Sequence, residues 1–202
     1  MPVIVSINKF VGNYTTKQSP LDRLVAFYIK GTFIMSKLSS IILNVDSYKT
    51  SMWVQNPVNT TGVFSYIESR GGQYNQTVFF GLQAFVKEYL LDPITQEDIN
   101  IADEILTAHG EPFNRAGWEY ILNKHNGYLP VKIRAVEEGT IIPTKNVLAT
   151  IENTDPACYW LTTWLETALL RAIWYPTTVA TRSNHIREII KEYVILSSDY
   201  DE

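Results

Sequence analysis

The stretch 153–181, NTDPACYWLTTWLETALLRAIWYPTTVAT, does most to limit how this chain can fold. It opens as a helix start: Thr154 or Asp155 can cap, and Pro156 suits the first helical position, where its missing N–H costs nothing. From Ala157 the apolar residues fall at helical spacing, through Trp160, Leu161, Trp164, Leu165, Ala168, Leu169, Ala172 and Ile173. A stripe that wide, with two tryptophans one turn apart, has to bury most of its girth, so this helix is expected at the centre of the packing. Proline cannot continue the hydrogen-bond ladder, so Pro176 is expected to stop it. Thr177 and Thr178 would then cap a second helix over about 179–194.

Such a helix needs partners, and 202 residues with 46% hydrophobic and 19% charged side chains can supply a sizeable core. The net charge of −4 argues against nucleic acid as the main partner but leaves room for a phosphorylated substrate at a local arginine cluster. A single cysteine, Cys158, rules out an intramolecular disulfide and fits a reducing cytoplasm. With no base evident nearby, Cys158 reads as a small buried residue. His109, His125 and His185 show no metal-ligand spacing, so no metal site is assigned to this chain. The apolar run 24–34 is interrupted by Lys30 and Gly31 and is too short to span a bilayer.

Residues 1–34 show no clear period and read as an N-terminal extension, with Met35 a natural start for a cytoplasmic protein. Ile41-Ile42-Leu43 is strand-like. Asp46 is placed to cap a short helix through Trp53, with Tyr48 partly buried and Lys49 a solvated charge. The alternating run 62–69 predicts a strand ending in Arg70-Gly71-Gly72, where a guanidinium beside flexible backbone suits either an anion or a plain tight turn. Helices are expected over 77–91, 95–108 and 114–125, and strands over 131–136, 140–142 and 147–152. The chain holds no nucleotide-binding glycine motif and no Ser-His-Asp arrangement, and its last six residues form a polar, acidic tail.

The wording of several blocks carries a further signal. Glu152 to Pro156, Tyr159-Trp160-Leu161, Glu166-Thr167 and Trp174-Tyr175-Pro176 closely resemble the nicotinamide phosphoribosyltransferase family. So do Asp46-Ser47-Tyr48-Lys49, Tyr66 to Arg70, Gly81-Leu82-Gln83, Gly117-Trp118 and Asn146-Val147-Leu148, so the resemblance runs over about 41–193. It implies an α+β fold: helices packed with a mainly antiparallel sheet, as in the N-terminal domain of a type II phosphoribosyltransferase. The N-terminal domain would occupy 35–156, with 157–202 a helical segment leading to an α/β barrel.

The resemblance also implies a reaction: phosphoribosyl pyrophosphate gives its phosphoribosyl group to nicotinamide, yielding nicotinamide mononucleotide and pyrophosphate in NAD biosynthesis. Three substrate-binding roles carry over. Tyr48 would reach across a homodimer interface to stack on the nicotinamide ring, Asp46 would lie near the carboxamide, and Arg70 would contact phosphate oxygens. Magnesium would be held through the substrate phosphates.

Family members continue into a barrel bearing a His-Asp-Phe-Gly-Tyr-Arg-Gly motif, the carboxylate that selects the amide, and the histidine through which ATP stimulates the enzyme. None of these lies in this sequence, so no catalytic residue is assigned, and the chain by itself is expected to be inactive. Two readings follow: an enzyme part that works with a homodimer partner or a separately encoded barrel, or a non-catalytic module that docks on a full-length enzyme. Nicotinic acid in place of nicotinamide stays open within the same chemistry.

Overall fold

The computed structural model describes the backbone of residues 3–6 and the whole of 40–198. Four antiparallel strands form the main sheet in the order β1-β4-β6-β2, with β1 Val3–Ser6, β2 Phe64–Glu68, β4 Val131–Ala135 and β6 Val147–Asn153. β3 Gln76–Val78 and β5 Ile141–Pro143 make a separate antiparallel pair. In β4 the burial alternates strictly, with Val131, Ile133 and Ala135 inward, so one face of the sheet is core and the other is wet. On the wet side Lys132 and Arg134 both lie against Glu152 of β6. The extension expected over 1–34 to show no strand supplies β1 to the sheet, paired with β4; the rest of it, the start at Met35 and the last four residues of the tail lie outside the described residues.

Helices cover the inner face. α1 Leu82–Phe85 runs into a wider π-type turn, Val86–Leu90. α2 Gln96–His109 begins with a full capping box: Thr95 accepts from the Asp98 backbone, and the Asp98 carboxylate accepts from the Thr95 backbone. α3 Arg115–Lys124 is capped by Asn114. In the 153–181 stretch a 3-10 turn, Pro156–Cys158, is followed by α4 Leu161–Trp164 and then by α5 Glu166–Ser197. Of the two possible caps it is Asp155 that accepts from the Ala157 N–H.

Trp118, Trp160 and Trp164 meet edge to face at 4.9–5.6 Å, all of them buried. Each such pair adds about 0.5–1.5 kcal/mol beyond the area it buries. The stretch also organises its surroundings by hydrogen bonds. Asn153 holds the entry to β2 by accepting from the Val63 N–H and donating to the Thr61 carbonyl. Trp164 donates to the Ile42 carbonyl.

Several expectations need correction. Pro176 does not stop the helix; α5 passes through it without a break, so Thr177 and Thr178 cap nothing. The ladder opens where the proline has no N–H to give to the Ala172 carbonyl. Gly81 packs into that opening; a Cβ there would lie 2.2 Å from the Ala172 oxygen and 2.8 Å from the Pro176 ring. The helix expected over 77–91 starts only at Leu82, because Thr77 and Val78 pair with Ile142 and Ile141. Ile41 to Leu43 form a turn rather than a strand, with Ile41 and Ile42 buried. Lys49 is buried rather than solvated, at 4% exposure.

α5 also holds β3 by its side chains. Thr177 Oγ1 accepts from the Phe80 N–H and donates to the Phe80 carbonyl, and Thr181 Oγ1 accepts from the Val78 N–H. Beyond this contact the helix is largely bare: Trp174, Tyr175, Ile186, Ile189, Ile190 and Leu196 are all exposed.

Candidate functional site

The segment 46–50 lies against the start of α5, and its geometry separates what is anchored from what is presented. Asp46 precedes a 3-10 helix, Ser47–Gln55, but its side chain does not cap it. The carboxylate instead accepts from the Thr167 hydroxyl at 2.8 Å. Lys49 turns inward and donates to Glu166 Oε2 at 2.6 Å. Thr50, fully buried, donates to the Ser47 carbonyl at 2.6 Å. Tyr48, between these anchors, points out, with 59% of its surface exposed. The Lys49 ammonium lies 4.9 Å from the centre of its ring.

Burial alone would push the Lys49 ammonium down, but the hydrogen bond and charge of Glu166, with a contribution from Tyr48, outweigh it and raise its pKa above the usual lysine value. Lys49 is therefore a permanent cation and cannot act as a base or nucleophile at neutral pH.

Arg70 is exposed at the end of β2 and makes no hydrogen bond or ion pair among the described residues. Its loop is set by the β3–β5 pair: the Lys145 N–H donates to the Ser69 carbonyl at 2.7 Å. Gly71 follows with φ +96°, a backbone conformation that favours glycine. Within the described residues no bond or ring contact joins Asp46 or Tyr48 to Arg70. Asp46 and Tyr48 thus share one anchored segment, whereas Arg70 stands on a different loop; all three are open to solvent.

A second polar group forms where no sequence spacing pointed. His125 Nε2 and the Tyr120 hydroxyl both meet Asp155 Oδ2, at 2.8 and 3.0 Å, and potential ligand atoms of His125, Asp155 and Cys158 lie within 4.8 Å of one another. Desolvation would raise the Asp155 pKa, but hydrogen bonds from the Ala157 N–H, His125 and Tyr120 outweigh it and hold the carboxyl below its usual range. The Cys158 thiol is buried and pushed up to about 12, chiefly by desolvation. This group ties the end of α3 to the turn before α4, and its thiol is inert at neutral pH.

Between α1 and α5 runs an open groove of about 700 Å³, lined among others by Phe80, Ala84, Tyr89, Ala168 and Tyr175. Among the described residues no helix is long and apolar enough to cross a membrane.

The architecture is that of the N-terminal domain of a type II phosphoribosyltransferase. A crystal structure of human nicotinic acid phosphoribosyltransferase shares the fold, with a TM-score of 0.52 at 20% sequence identity, over 71% of this chain and 28% of that one. Residues 40–133 match the family described as nicotinamide phosphoribosyltransferase, N-terminal domain. A nicotinamide phosphoribosyltransferase of Xanthomonas campestris is 51% identical over 165 residues, covering 82% of this chain and 35% of that protein. One from Acinetobacter baylyi is 27% identical over 169 residues, covering 75% of this chain and 33% of that protein. Both relatives and the family model thus carry one description, matched over 40–133 by the model and over most of this chain by the Xanthomonas protein. The chain spans about a third of the length of these two relatives.

Proposed function

We propose that this chain supplies one wall of a nicotinamide phosphoribosyltransferase site whose remaining groups lie on a barrel, and that it works in NAD biosynthesis in the cytoplasm. Tyr48 stacks on the nicotinamide ring, Asp46 approaches the carboxamide with the carboxylate oxygen that Thr167 leaves free, and Arg70 binds phosphate oxygens of phosphoribosyl pyrophosphate. The observation that carries this reading is the outward pose of Tyr48 on a segment anchored at both ends. A flat, electron-poor base is held well by an aromatic face, and holding it in line with the ribose carbon is a large part of the catalysis of such a transfer.

As the bond to pyrophosphate breaks, negative charge gathers on the leaving group, and the exposed Arg70 guanidinium, without a partner among the described residues, is suited to meet it. The magnesium that the family implies finds no oxygen cage in the one three-donor group among the described residues, which includes a protonated thiol. It is better supplied with the substrate phosphates, where it would neutralise the pyrophosphate. ATP stimulation would belong to the barrel.

The test is complementation: this chain is mixed with the separately expressed barrel portion of a relative, and nicotinamide mononucleotide is measured from nicotinamide and phosphoribosyl pyrophosphate. Product from the mixture, and none from either part, is expected. The bare apolar residues of α5 favour a second reading, a module that docks on an intact enzyme. Inhibition of an intact relative by this chain, without complementation, would select it.

A further inference from the structure

Lys49 is a charged side chain at 4% exposure in a segment whose neighbours Asp46, Ser47 and Tyr48 are all exposed. Burying an ammonium is costly unless it is paired, and a neutral side chain would fill the space at less cost. Its pairing is specific. Glu166, 117 residues away, lies 2.6 Å from Nζ, and the same nitrogen lies 4.9 Å from the Tyr48 ring centre. That is the only ring contact Tyr48 makes among the described residues. The backbone on either side is already fixed by the Asp46–Thr167 and Thr50–Ser47 bonds. What remains free is the rotation of the ring itself, and a cation held against the ring restricts that rotation while leaving the rest of the surface to solvent.

We infer that Lys49 and Glu166 are positioning residues, whose ion pair holds the Tyr48 ring in one outward orientation ready to receive a flat base. This rests on the reading of Tyr48 as the stacking ring. A ring already oriented loses less freedom when the base binds, so the pair would contribute to affinity without touching the substrate. A lysine serves here because its ammonium reaches the carboxylate and the ring at once; arginine could do the same with a broader head, whereas methionine keeps the stem and loses the charge.

The test uses the full chain labelled with 3-fluorotyrosine, the Tyr48 signal being assigned by its loss in Tyr48→Phe. In the wild type this signal should be displaced from that of the free amino acid and as broad as those of buried tyrosines. In Lys49→Met and in Glu166→Gln it should collapse to the narrow, undisplaced signal of a freely turning ring, while Lys49→Arg keeps most of the displacement. Circular dichroism at the same temperature shows whether each variant is folded, and Glu166→Gln, at an exposed position, decides the matter if Lys49→Met unfolds. An unchanged Tyr48 signal in folded Glu166→Gln, or an equal collapse in Lys49→Arg, would overturn the inference. Nicotinamide titrated onto the labelled chain in assembly with the barrel portion then tests the ring's role separately: an ordered Tyr48 signal that ignores nicotinamide there rejects stacking while leaving the clamp in place.

Discussion

Replacing Gly81 by alanine should be one of the most damaging single-methyl changes in the chain. Gly81 has φ +109°, outside the range that L side chains occupy comfortably. Its added Cβ would sit 2.2 Å from the Ala172 carbonyl oxygen and 2.8 Å from Pro176 Cβ and Cγ. Normal carbon–oxygen contact is about 3.3 Å or more, so backbone has to move by roughly 1 Å. Holding alanine at that φ costs about 1–3 kcal/mol. Forcing a methyl into a filled space costs a further 1–3 kcal/mol or so. A total near 4 kcal/mol is a large share of the roughly 5–15 kcal/mol that a domain possesses. At about 2–4 °C per kcal/mol for a chain of this size, the melting temperature followed by circular dichroism should fall by about 8–16 °C.

Two controls separate the terms. Gly139 has φ +90° and open space around it, so Gly139→Ala should show the backbone cost alone. Gly72 has open space and no positive φ, so Gly72→Ala should stay within about 0.5 kcal/mol of wild type. If Gly81→Ala melts no lower than Gly139→Ala, the seating of Gly81 in the opening at Pro176 is wrong.

Thr177→Val keeps the shape of the side chain but leaves the Phe80 N–H and carbonyl without their partner, and should cost about 2–4 kcal/mol in urea unfolding. Asp155 has its carboxyl pKa lowered in the folded state, so its contribution is complete above the unfolded value of 3.8 and is lost as pH falls through the folded value. Thermal melts from pH 6 downward should therefore show wild type losing stability below about pH 4, and Asp155→Asn showing less of that loss. Cys158, with its thiol pushed up to about 12, should not react with a thiol reagent at pH 8 until the chain unfolds, the reaction following the urea transition.

Much of the sheet was legible in the residues, because β4 alternates along a single buried face, β6 joins it from Ala149 to Ile151, and neither needs distant information. The helix expected over 95–108 was equally local and is found as α2 Gln96–His109. What failed to show was set at long range. Thr77 and Val78 are strand formers, but a run this short cannot be told from the start of the helix that follows until Ile141 and Ile142 lie opposite. Pro176 carries the ordinary signature of a helix end, and the glycine that packs into the open ladder is 95 residues earlier in the chain. Lys49 looked like surface because its partner Glu166 is remote in sequence, and His125 met Asp155 for the same reason. The residues proposed for the site come from the wording of their motifs, since the chemistry of a lone tyrosine or arginine does not announce a role.

The most direct measurement is nicotinamide mononucleotide formation by the complemented assembly, with this chain as wild type and as Tyr48→Ala. An exposed ring contributes little to folding, so Tyr48→Ala should assemble as before, and product formation at low nicotinamide should fall by roughly 10- to 100-fold, the 1.4–2.8 kcal/mol or so expected of a lost aromatic stack and its orientation. Equal rates from the two assemblies, or no product from the wild type, would contradict the place given to this segment in the active site.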